Sequence, residues 1–241
     1  MFSSKPTDRQ LQGSFFGFLP KLLSLQNLLD IEGRKKFSSL VENSVIDASV
    51  GGLIAFSHLQ NPLLEKYGFD PIDFYIGATE AFKRISKAMA SKDIIDFTRG
   101  RTPSKPDSLL ILESTVSKRI LSACFDSAKM LQEENVEIVL TDIEILNAKL
   151  SSVSVSIVDD DLAPPDGDNE KKKPSYPIDS VLALIDVDFM VEESYNGKYP
   201  VREGSSDRQE VSSKRLNSVC FTFEGCISGH VDLDWKVVHI R

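Results

Sequence analysis

Near residue 135 the apolar residues of this chain change their spacing, and that change limits what it can fold into. Upstream they recur every three or four residues, as along one face of an α-helix. Downstream they alternate with polar residues, as along a half-buried strand. A chain with its helices first and its strands afterwards lacks the alternating units from which parallel sheets are built. The order predicts an α+β fold, with N-terminal helices packed on one face of an antiparallel sheet of at least four strands.

The clearest helix is predicted over residues 69–92. Asp70 is placed to cap it, Pro71 suits the first helical position and Asp73 adds negative charge where the helix dipole favours it. Phe74, Ala78, Ala81, Phe82, Ile85, Ala88 and Met89 form one apolar stripe. Glu80 is spaced to pair with Arg84. The stripe is rich in alanine, so a partner element is expected to approach closely. A short helix over 93–97, a basic loop over 99–107 and a further helix over 108–131 follow. The last has Ser108 as its cap and Leu109, Leu112, Val116, Ile120 and Ala123 or Cys124 as its stripe. Before residue 67 the pattern is mixed. Phe37, Leu40 and Val41 start a short helix, and Gly51-Gly52 suits a close backbone approach without completing a phosphate loop. Residues 1–66 are therefore read as an accessory region and 67–241 as the principal domain.

Strands are expected over 136–145, with a break near Asp142, and over 151–158, 181–192, 217–225 and 234–241. Residues 159–178 combine acidic and basic runs with four prolines and no packing surface, the composition of a disordered insertion. A calcium loop is the rival reading, but the run has no position-twelve glutamate. Residues 195–215 form a polar excursion with turn chemistry at Asn196-Gly197.

Little in the chain points to a reaction. Its net charge of −8 argues against a general nucleic-acid binder, DNA included, and no run reaches the ~18 apolar residues needed to span a bilayer. Cys124, Cys220 and Cys226 lack the number and spacing of a disulfide or zinc framework, and His58, His230 and His239 are scattered. His230 and Asp232 beside Cys226 form the one local cluster and read as a turn with incidental polar residues. Nucleophile-elbow, zinc-protease and dinucleotide-loop motifs are absent. Asp186 and Asp188 share one strand face and would form a carboxylate pair if they pointed into a cavity; the alternative has them facing water, as for Asp232 and Asp234. No metal, cofactor or catalytic residue is expected. Residues 10–29 are apolar and Ser/Gln-rich. They partly fit a mitochondrial presequence, against which stand Asp8, Asp30 and Pro20; the alternative is an amphipathic segment packed on the domain or on a membrane surface.

Two stretches resemble a known family. Residues 69–93, with Phe74, Gly77-Ala78, Ala81-Phe82, Ile85 and Ser86, resemble the opening helix of the membrane-binding C-terminal domain of the inner-membrane import motor's peripheral anchor subunit. Residues 220–241 resemble that domain's closing strand pair, with Trp235 opening the last strand. Mitochondrial ribosome receptors share the domain, and the pattern is most similar to the family's m-AAA protease-interacting branch. The resemblance implies a cone-shaped fold of the nuclear-transport-factor-two type, a curved sheet around helices, with Phe74, Ala78, Phe82, Ile85, Phe189, Phe221 and Trp235 as its pocket and core scaffold. It further implies a non-catalytic, chaperone-like adaptor in the mitochondrial matrix, associated with the inner membrane. The implied partners are an AAA protease of that membrane and newly imported membrane proteins. The alternative within the family is a receptor for the mitochondrial ribosome or for the membrane itself.

Overall fold

A computed structural model describes residues 30–157, 181–201, 208–227 and 235–241. Within them the helices are α1 (Ile31–Glu42), α2 (Val50–Leu59), α3 (Pro62–Lys66), α4 (Pro71–Met89), α5 (Lys92–Thr98), α6 (Asp107–Thr115) and α7 (Lys118–Glu133). The strands are β1 (Glu137–Ile157), β2 (Val181–Pro200), β3 (Arg208–Ile227) and β4 (Trp235–Ile240). They form one antiparallel sheet in the order β1-β2-β3-β4. The fold is α+β, as the change of period predicts. The 159–178 insertion, the 10–29 segment, and His230, Asp232 and Asp234 lie outside the described residues.

Local chemistry starts the helices. Side chains of Asp30, Ser49, Asn61, Asp70, Ser91 and Ser117 each accept a hydrogen bond from an otherwise unpaired amide in the first turn that follows. Asp70 takes two, from Ile72 at 2.7 Å and Asp73 at 3.2 Å, so α4 begins where its sequence signals place it. Gly52 lies so close to the Asp47 backbone that no Cβ would fit there. On α4, Glu80 pairs with Lys83 at 3.5 Å rather than with Arg84.

Three local expectations are corrected. The helix predicted over 108–131 is two helices. Val116 is extended, forms a parallel bridge with Val237, and is followed by Ser117, whose amide donates to the Val237 carbonyl at 2.8 Å. Contact with β4 therefore breaks a stretch that is helical by local pattern, and Ser117 rather than Ser108 provides a side-chain cap. The strands at 136–145 and 151–158 are one strand with three register shifts. Asn196-Gly197 is not a turn, because β2 continues through it in unbroken register with β3 as far as Pro200↔Arg208. Continuing the ladder keeps backbone groups paired that a turn at 196 would release.

The register shifts of β1 join the layers. Near two of them the strand turns an amide toward the helices: Leu140 donates to the Ala90 carbonyl at 3.1 Å and Leu150 to that of Val45 at 2.8 Å. Near the third, the Ala148 carbonyl accepts from the Tyr75 hydroxyl at 3.2 Å. Helices α2 and α4 pack on β1, while α6 and α7 pack on β4. The buried cluster is continuous across both layers. Phe37, Val45, Ile46, Phe56 and Leu64, all before residue 67, belong to it with Phe82, Ile185, Phe189 and Val237.

Candidate functional site

Among the described residues, two of the clefts lie between the helices and the sheet. The first encloses about 510 Å³, within the ~300–1,000 Å³ range of ligand sites. Helix α4 supplies its floor through Phe74, Ala78, Ala81 and Ile85, because the small side chains of the stripe leave room beside the large ones. Strands β3 and β4 supply Phe223, Trp235 and Val237. The Trp235 ring stands 4.7 Å from Phe74 and 5.9 Å from Phe69, with Phe74 edge-on to Phe223 at 5.6 Å. Gly225 makes room for the indole, since a Cβ there would stand 2.5 Å from the ring. Asp70 and Asp73 add acidic residues to the lining. A pocket of this kind suits an aromatic or branched apolar side chain, and nothing in it is a nucleophile beside a base.

Of the residues singled out from the sequence, Phe74, Ala78, Ile85 and Trp235 line this cleft. Phe82, Phe189 and Phe221 do not. They form the dry core behind it, with Phe82 stacked on Phe189 at 4.2 Å and edge-on to Phe221 at 4.9 Å. Sequence reasoning did not include Phe69 or Phe223 among the site residues. Phe69 precedes the helix it serves, and Phe223 was legible only as an alternating strand residue.

The second cleft, about 830 Å³, lies between α5, α7 and the far end of the sheet. It was not anticipated. Its lining is mostly apolar; Arg99, Arg119 and Arg215 make its charged part cationic, beside the hydroxyls of Tyr195 and Tyr199. The buried Glu193 carboxylate beneath it accepts from the Tyr195 hydroxyl at 2.8 Å and from the Asn217 amide. Burial, and then the adjoining Glu193, raise the Tyr195 hydroxyl well above its ordinary pKa, so it remains a neutral donor. At the edge of the sheet Arg99 and Glu137, both buried, pair at 3.1 Å, and Arg99 also donates to the Val136 carbonyl at 2.9 Å. Cys124 borders this cleft, but burial raises its pKa and keeps it a thiol.

Asp186 and Asp188 line neither cleft; they sit on the sheet face opposite the helices. Asp186 accepts from Thr222 at 2.7 Å and from Arg241 at 2.8 Å, and Asp188 is exposed. Burial, reinforced by Asp188, pushes the Cys220 thiol up to about 12. The carboxylate pair that an enzymatic reading required inside the cavity is therefore not there. Among the described residues no group of three His, Cys, Asp or Glu side chains is placed to hold a metal ion, and no helix is long and apolar enough to cross a membrane.

Together these features define an α+β domain with one aromatic and one cationic cleft on the helical face of a four-stranded sheet. No family model matches the chain, and no curated protein matches it. Among solved structures, the intermembrane space region of the chloroplast protein ARC6 matches with 16% identity over 69% of this chain and 94% of that one. The TM-score is 0.35, so neither fold nor function is carried over from that likeness.

Proposed function

We propose that the protein is a non-catalytic, chaperone-like adaptor of the mitochondrial matrix. It is peripheral to the inner membrane, and it engages an AAA protease of that membrane together with newly imported membrane-protein clients. The observation that supports this reading is the aromatic cleft. Phe69, Phe74, Phe223 and Trp235 surround space for one or two apolar side chains, and the cleft is open enough for the rest of a client segment to pass outside it. Binding of this kind is transient by construction, because a single apolar anchor contributes only about 1.5–3 kcal/mol. The resemblance of residues 69–93 and 220–241 to the import-motor anchor family supplies the compartment and the class of client.

Affinity purification from mitochondria tests the reading. Recovery of AAA protease subunits or short imported membrane proteins, retained at high salt, is the expected result. Recovery of large-subunit ribosomal proteins alone, lost as salt is raised, would replace the adaptor with a ribosome receptor.

A further inference from the structure

The open sides of β1, β4 and β3 are treated differently. Along β1, outward amides at Leu140 and Leu150 are taken by carbonyls of the helical layer. Strand β4 is short and is joined to α6 through Val116↔Val237. Strand β3 is paired with β2 along its whole length, from Arg208 to Ile227, but with β4 only from Phe221 to Gly225. One further pair, Cys220 with Arg241, closes that ladder. Among the described residues, nothing pairs with the open side of β3 over 208–219.

The direction of its backbone groups follows from Cys220, whose amide and carbonyl both bond Arg241 and so point away from β2. The β2–β3 register has no shift, so the even-numbered residues 208–218 also present both groups to the open side. An edge this long and regular is a template for an added strand unless it is bent, shortened or covered. Among the described residues nothing covers it and its register with β2 has no shift; it is guarded by the charges of Arg208, Glu210 and Lys214, and it carries the exposed apolar side chains Val211 and Leu216.

We propose that this edge is the interface of a homodimer, in which residues 208–216 of two copies pair antiparallel about a two-fold axis at Ser212. The charge pattern selects both occupant and register. Centred on Ser212, Glu210 of each copy stands opposite Lys214 of the other, twice by symmetry. Glu210 already pairs with Lys198 at 2.7 Å, and Lys214 with Glu192 at 2.6 Å, on the face away from the helices. The added strand therefore extends an alternating row, Lys198, Glu210, Lys214 and Glu192, across the axis. Moving the axis to residue 211 or 214 would set Arg208 against Lys214 or Lys214 against itself. The Ser212 register also lays the Arg208 stem over the exposed Leu216 and sets Gln209 opposite Arg215, beside the cationic cleft. This inference does not depend on the proposed client.

Sedimentation of the full chain tests it, with thermal melts as a check on folding. The wild type is expected to sediment at twice its 26.8 kDa. Glu210→Lys and Lys214→Glu are each expected to weaken the dimer about tenfold, since each sets like charges opposite one another twice. An equimolar mixture of the two variants restores it, because every 210–214 contact is then between opposite charges. Ser212→Pro removes an amide that faces the open edge and not β2, so it abolishes the dimer while leaving the melting temperature near that of the wild type. A wild type that is monomeric at every concentration would overturn the proposal. So would a mixture no tighter than its components, or single variants that dimerise as the wild type does.

Discussion

The two ends of the β2–β3 ladder share one register and hold together by different means. At the β4 end, the helix-facing residues Ile185, Val187, Phe189 and Val191 are fully buried beneath α4, and Phe82 lies flat on Phe189. Beyond Val191 the same face carries Glu193, Tyr195 and Arg215, and apolar packing gives way to a hydrogen-bonded polar group beside the cationic cleft. A backbone ladder alone is thus compatible with either an apolar core or a polar one. The dry end is expected to set the stability of the domain. The polar end fixes geometry while leaving groups and an edge available for binding.

The largest effect should come from breaking the dry end. Phe82→Ala is expected to cost about 3–5 kcal/mol in urea unfolding, because it removes a ring packed between two others and leaves a cavity. Arg99→Met should cost about 3 kcal/mol in the same measurement by stranding the buried Glu137, although Arg208 at 3.7 Å offers a partial replacement. Tyr195→Phe should cost about 1.5–3 kcal/mol, the contribution of a hydrogen bond to a buried carboxylate.

The Tyr195 variant also sharpens the comparison through pH. The raised pKa means that the folded protein keeps this proton when the unfolded chain loses it near 10.0. Its contribution to stability is complete below that pH and declines as the pH rises above it. Melting temperature should therefore fall less steeply above pH 10 in Tyr195→Phe than in the wild type. The smallest effect has the opposite sign. Gly77 lies on an exposed face of α4 where a Cβ meets nothing within 4 Å, so Gly77→Ala should stabilise by about 0.5–1 kcal/mol.

What the sequence made legible follows the same division. The dry end was readable because its signals are local and periodic: the Asp70 cap, the α4 stripe and the alternation in β2 each stand within one segment. The features that could not be read depend on distant partners. The break at Val116 is imposed by Val237, and the straight course through Asn196-Gly197 is imposed by the ladder to Ser212 and Val211. Phe56 and Leu64, which precede residue 67, are buried in the same cluster as Phe82, a contact between segments that no local pattern displays. The cationic cleft draws on α5, α7 and all four strands, with no shared motif to announce it.

The central claim, that the aromatic cleft receives an apolar client segment, can be read from the protein's single tryptophan. Trp235 lines the cleft, so its fluorescence should shift saturably when a short apolar segment of an imported membrane protein is added. Gly77 also lines the cleft, so Gly77→Leu places a side chain into that space without a clash at its Cβ, and should abolish the shift while leaving the melting temperature at or above that of the wild type. A signal that does not change with the peptide, or that changes equally in both proteins, would contradict the account.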